Sequence, residues 1–83
     1  MKVLYFAWIR ERIGVGEQDI TPPADVLTVA HLIDWLATQS SGHANAFKDR
    51  KLIKVARDHE HVPHDTALAG ATEIAFFPPV TGG

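Results

Sequence analysis

Apolar residues dominate both registers of residues 2–9. Val3, Tyr5, Ala7 and Ile9 fall on one side of an extended chain, and Leu4, Phe6 and Trp8 on the other. The pattern predicts a central strand covered on both faces, followed by a solvated break at Arg10-Glu11-Arg12 and a turn at Gly14 and Gly16. Residues 15–20 form a weaker strand pattern, close enough to pair with the first as a hairpin, and Pro22-Pro23 ends it. The period then changes. Val29, Leu32, Ile33 and Leu36 recur at i, i+3, i+4 and i+7, the single stripe of an amphipathic helix, with Thr28 placed as its N-cap. Trp35 flanks that stripe, His31 and Asp34 lie toward water, and Gly42 is the expected stop.

Residues 44–47 read as one more helical turn. Residues 51–56 read as a third strand, with Leu52 and Lys54 opposing Ile53 and Val55. Residues 57–65 are polar and rich in His, and predict a hairpin or loop around Pro63. Gly70 supplies a tight turn into a last strand in which Ile74 and Phe76 share one face and Ala75 and Phe77 the other. Two strands, a helix and two or three further strands describe an α+β domain with the helix on one sheet face. A helix-containing crossover lets the first and last strands pair in parallel, with right-handed connection. Phe6 and Phe77 would then lie on the outer face. They read either as an aromatic docking surface or as core residues of a small sheet.

Composition narrows the function classes. A chain of 83 residues makes one domain with a thin core. Its 46% hydrophobic and 22% charged residues are those of a globular protein rather than a disordered one. A net charge of −2 without a Lys/Arg run argues against nucleic acid as a partner. The absence of Cys removes disulfide and thiolate chemistry. No apolar run reaches membrane-spanning length and no signal-peptide pattern opens the chain, so no membrane association and a cytoplasmic location are expected.

Candidate catalytic groups are sparse. His59, His61 and His64 share a loop, but their spacing fits no zinc motif, and solvated histidines are the expectation. Gly14-Val15-Gly16 lacks the Lys and following helix of a phosphate loop. No Ser/His/Asp arrangement is legible. The chain reads as a protein without a complete active site of its own, with no metal and no permanently bound cofactor.

The C-terminal run Phe76-Phe77-Pro78-Pro79-Val80-Thr81-Gly82-Gly83 is the most distinctive stretch. Two aromatics finish a strand, and two prolines, lacking N–H groups, stop its ladder. Residues 78–83 would form a flexible tail beyond a domain of residues 1–77. Six extended residues span roughly 20 Å, enough to enter another protein's active site. Gly82 and Gly83 carry no Cβ and would pass a narrow channel. The distinctive chemical group there is the α-carboxylate of Gly83.

Phe6-Ala7, Arg10-Glu11 and the run from Phe76 to Gly83, in this element order, resemble the ubiquitin-like β-grasp sulfur carriers. Within that family the chain is similar to the small subunits of molybdopterin synthase, over essentially its whole length. The resemblance implies a β-grasp domain, a mixed sheet of four to five strands with one main helix on one face. It implies that a ubiquitin-activating-type enzyme uses ATP to adenylate Gly83. A sulfur donor, a sulfurtransferase or desulfurase, would then leave a covalent thiocarboxylate there. The tail would deliver that sulfur to cyclic pyranopterin monophosphate in the large subunit, within a heterotetramer. Gly82 would provide clearance, Pro78 and Pro79 would direct the tail, Val80 and Thr81 would enter the partner with it, and Phe6, Arg10 and Phe77 would contact the partner's surface. Two departures from the family pattern are the turn Ala69-Gly70-Ala71-Thr72-Glu73, where Glu73 is the single acid, and the His-rich loop.

Two other roles use the same activated acyl group. One is sulfur carriage for thiazole, cysteine or tRNA thiolation, of which the Phe-Phe-Pro-Pro ending disfavours the thiazole type. The other is a ubiquitin-like modifier joined to lysines through Gly83. A binding module with an inert tail is a third reading.

Overall fold

The computed structural model describes residues 1–79. Its strands are β1 (Lys2–Tyr5), β2 (Glu17–Asp19), β3 (Lys54–Arg57), β4 (Glu60–His61) and β5 (Glu73–Phe77). Its helices are α1 (Ala7–Ile13), α2 (Val29–Leu36) and α3 (Ser41–Ala46), with a 3-10 turn over Arg50–Leu52. The strands form one mixed sheet in the order β2-β1-β5-β3-β4. β5 occupies the centre, parallel to β1 and antiparallel to β3, so the last strand does pair with the first. This is the β-grasp arrangement expected from the sequence, with α2 in the crossover.

The α2 stripe behaves as its spacing predicts. Val29, Leu32, Ile33 and Leu36 are all fully buried, and the Thr28 side chain accepts the His31 N–H at 3.2 Å. They pack on the sheet face formed by Val3, Tyr5, Val55, Ile74 and Phe76, in one contiguous core. Phe47 joins them from the end of α3, with its ring 5.2 Å from that of Phe76 in a T-shaped contact.

The first strand departs from expectation. It ends at Tyr5, and residues 7–13 are helical rather than extended and then broken. A short apolar run has no period of its own to separate strand from buried helix. Here Ile9 and Ile13, four apart, set the inner side of α1, and Trp8 stacks under Arg12 one turn on, 4.4 Å from guanidinium carbon to ring centre. Ala7 makes the corner at φ +52°, and its side chain is exposed rather than aligned with Val3 and Tyr5. Gly14 closes the helix at φ +100°, its N–H donating to the Arg10 carbonyl at 2.8 Å. Consequently β2 pairs with β1 as expected but is reached through a helix, not a tight hairpin.

Gly42 is also placed differently. α2 ends at Leu36, and Gly42 lies inside α3. A Cβ there would collide with the Arg12 carbonyl, so this glycine permits α3 to lie against α1. In the third strand region, residues 50–52 form the 3-10 turn and β3 starts at Lys54. The expected facing still holds, with Ile53 and Val55 buried and Leu52 and Lys54 exposed. The following hairpin turns at Asp58-His59, both at positive φ (+49° and +74°), rather than around Pro63. Those two angles are what a two-residue loop needs to match strand twist. β4 stops at His61; the Val62 N–H still donates to the Val55 carbonyl at 3.2 Å, and Pro63 follows it outside the strand.

Candidate interaction site at the root of the C-terminal tail

The Phe-Phe pair divides its labour through strand alternation. Phe76 points into the core, fully buried beside Tyr5 and Phe47. Phe77 points the other way, half-buried, with its ring 5.1 Å from that of His61. Phe77 pairs with Lys54, and Ala75 sits between Leu4 and Ala56 across the sheet. The outer face around Phe77 is therefore built from Leu4, Ala75 and Ala56, flanked by Lys54 and His61. One ring anchors the strand and the next is presented.

Phe6 stands beside this root. Its N–H donates to the Phe76 carbonyl at 3.1 Å, extending the parallel ladder by one residue, and its side chain is 47% exposed. That exposure is not that of a core residue. Arg10 lies one turn into α1, its N–H donating to the Phe6 carbonyl at 3.3 Å. Its guanidinium rests over Gly16, where the missing side chain leaves room for it. Phe6, Arg10 and Phe77 are thus brought to one end of the sheet, and Pro78 and Pro79 leave from the same end, partly exposed and outside any strand. Val80, Thr81, Gly82 and Gly83 lie outside the described residues.

The turn leading into β5 is held from behind. Asp58 Oδ1 accepts the Thr72 N–H at 3.0 Å, the Thr72 hydroxyl at 2.7 Å and the Glu73 N–H at 2.9 Å. The Thr72 hydroxyl, then the Glu73 and Thr72 amides, hold its carboxyl below the usual carboxylate range. Arg57 donates to the carbonyls of Ala67 and Ala69 at 3.1 and 2.6 Å. These two residues form a clamp on the turn, contributed by the β3–β4 hairpin.

The His-rich segment is dispersed among separate contacts. His59 faces Glu73 at 3.6 Å, His61 meets Phe77, and His64 Nε2 contacts the Ile53 carbonyl at 2.8 Å. Among the described residues no group of three or more His, Cys, Asp or Glu side chains is placed to hold a metal ion. No helix of the described residues is long and apolar enough to cross a membrane.

One polar cluster escapes the sequence reading. Gln18 Oε1 accepts the Tyr5 hydroxyl at 2.6 Å and lies 2.9 Å from His43 Nε2. That oxygen can only accept, so His43 carries its proton on Nε2. Nδ1 is then the acceptor for the Ser40 hydroxyl at 2.7 Å, while Ser40 Oγ also caps α3 by accepting the His43 N–H. Burial lowers the His43 pKa and raises that of Tyr5 far above its ordinary value. The Ser40-His43 pair is thus a neutral structural contact. The serine N-cap three residues ahead of His43 is a visible signal for α3, but nothing local links either residue to Gln18.

The comparisons with known proteins agree with this geometry. The model of the ThiS family matches residues 3–83. A molybdopterin synthase sulfur carrier subunit of Escherichia coli (strain K12) is 42% identical over 83 residues, covering 100% of this chain and 99% of the relative. A protein of the same description from Chlamydomonas reinhardtii is 38% identical over 85 residues, covering 100% and 98%. Among solved structures, SAMP1 from Haloferax volcanii, a small archaeal modifier protein, superposes with a TM-score of 0.72 at 29% identity, covering 100% of this chain and 98% of that one.

Proposed function

The chain belongs to the ThiS family, and from that premise we propose that it is a sulfur carrier of molybdenum cofactor biosynthesis, the small subunit of a molybdopterin synthase. The observation that carries this reading is the end-to-end match, at 42% identity, to a molybdopterin synthase sulfur carrier subunit. The geometry supports it, because β5 delivers Phe77-Pro78-Pro79 from the centre of the sheet, beside Phe6 and Arg10.

The chemistry follows from the inertness of a carboxylate, whose delocalised charge and poor leaving oxygens resist nucleophiles. A Gly83 carboxylate oxygen attacks the α-phosphorus of ATP in an adenylating partner, expelling pyrophosphate and forming an acyl-adenylate. A sulfur nucleophile from a sulfurtransferase or desulfurase then adds to that carbonyl and displaces AMP. When the nucleophile is a persulfide, a thiol attacks the donor sulfur of the acyl disulfide formed, breaking its S–S bond, so that the thiol and the donor end as a disulfide and the thiocarboxylate is freed. In the large subunit, within a heterotetramer, the thiocarboxylate sulfur bonds to a carbon of cyclic pyranopterin monophosphate as an oxygen group leaves that carbon. Water then cleaves the resulting thioester, so the sulfur stays on the pterin and Gly83 returns as a carboxylate. A dithiolene needs two sulfurs, so the carrier is recharged or exchanged between transfers.

Gly83 carries the sulfur, Gly82 gives clearance, and Val80 and Thr81 line the path into the partner. Pro78 and Pro79 keep the tail from re-entering a sheet, and Phe6, Arg10 and Phe77 grip the partner's surface. Deleting Gly83 tests this directly. Sulfur transfer is lost while folding and large-subunit binding persist; a truncated chain that still supports cofactor synthesis refutes the reading.

The likeness to a small archaeal modifier protein favours a second reading, in which a lysine amine attacks the same acyl group. Isopeptide-linked adducts carrying this chain in cell lysate would support it. Their absence alongside a free thiocarboxylate counts against it.

A further inference from the structure

A groove of about 600 Å³ opens where β4 leaves β3. It lies where β4 stops after Glu60–His61 while β3 continues back to Lys54. Its apolar lining includes Val62, Pro63 and Phe77, and its rim carries Arg50, Lys51, Lys54, His61 and His64, with no carboxylate among the lining residues. That sign is opposite to the net charge of −2 on the whole chain.

The cations on this rim are not equivalent. Arg50 is satisfied by Asp34 at 2.6 Å and by the Phe47 carbonyl at 2.8 Å. The nearby Asp49 uses its carboxylate to cap the Lys51 N–H at 3.2 Å. Lys51 and Lys54 are exposed, and among the described residues neither ammonium has a carboxylate within 4.0 Å. Among the described residues, two ammonium groups without a carboxylate partner therefore border an apolar floor that ends at Phe77.

We propose that this groove is a docking site for an acidic peptide segment of a partner protein, with its carboxylates on Lys51 and Lys54 and an apolar side chain against Phe77, Val62 and Pro63. Charge complementarity selects the occupant: a basic segment would meet two unpaired ammonium groups, and an uncharged one would leave them uncompensated. The groove opens along one side and is bordered by a strand, which suits an extended segment. The charge argument is independent of the sulfur-carrier reading, although Phe77 also belongs to the surface proposed there to meet the large subunit.

The test is a titration of the full ¹⁵N-labelled chain with a capped peptide holding two glutamates, a central leucine and two aspartates. A matched peptide with lysines in place of the acids is the control. Saturable amide shifts at Lys51, Lys54, His61, Val62 and Phe77 are expected, with affinity falling about tenfold in the K51E/K54E variant and falling with added salt. K51Q/K54Q, which only removes charge, gives an intermediate loss and serves if the charge reversal disturbs folding. The proposal is overturned if the lysine peptide shifts the same amides equally, if shifts gather around Arg10 and Arg12, or if none saturates at millimolar peptide. It is also overturned if deleting residues 80–83 shifts the groove amides without peptide, which would make the chain's own tail the occupant.

Discussion

The amide of Phe6 donates to the carbonyl of Phe76 at 3.1 Å, and this bond ties the start of α1 to the root of the tail. One residue later on each strand, the chains diverge: Ala7 turns into the helix at φ +52°, and Phe77 leads into Pro78. The two aromatics next to the bond have opposite duties. Phe76 is fully buried, and truncation to Ala should cost about 3–5 kcal/mol. Phe77 is only half-buried, so Phe77→Ala should weaken association with the large subunit more than it lowers the melting temperature. Calorimetric binding and thermal melts of both variants separate the effects. Equal losses of binding and stability in Phe77→Ala would place this ring with the core instead.

Gly42→Ala tests the contact between α1 and α3. The added methyl meets the Arg12 backbone carbonyl, which cannot rotate away. Overpacking of this kind costs about 1–3 kcal/mol, measured by urea unfolding. A neutral or stabilising result, as expected of Gly→Ala in an unobstructed helix, would contradict the packing described.

His43 gives stability a dependence on pH. Its folded pKa lies below the ordinary 6.5, so the unfolded chain binds this proton more readily. Stability from this site is complete above 6.5 and falls as pH drops from there toward the folded value. His43→Gln should remove this component, flattening that part of the stability profile. An unchanged slope would show that burial does not hold the ring neutral.

Asp58 acts through a depressed carboxyl pKa, and the sign of its acid dependence follows. Its stabilisation is present above 3.8 and is lost as pH falls through the lower, folded value. Asp58→Ala should lower the melting temperature at neutral pH by freeing three donors around Thr72. Asp58→Asn keeps an acceptor oxygen and tolerates φ +49°, so it should retain more stability while losing the acid-dependent part. Identical melts for the two variants would exclude the capping role.

These contacts show where the sequence was readable. α2 was legible because its cap and its four buried residues are local and periodic. The tail root was legible because Pro-Pro after an alternating strand has a single physical meaning, a stopped ladder. Residues 6–13 were not, since the helix there is decided by the corner at Ala7 and by packing on α3 through Gly42, which lies far along the chain. The Tyr5-Gln18-His43 cluster was hidden for the same reason: Gln18 and His43 are 25 residues apart. Local pattern carries the first kind of information and not the second.

The central claim is that Gly83 carries sulfur, and an intact mass tests it most directly. The chain is incubated with ATP, the adenylating enzyme and a sulfur source, then weighed under mild, non-reducing conditions. The account predicts a mass increase equal to sulfur replacing oxygen, mapped to the C-terminal peptide and dependent on ATP. A Gly83 that stays a plain carboxylate under these conditions, with the enzyme shown active on a known carrier, would contradict it.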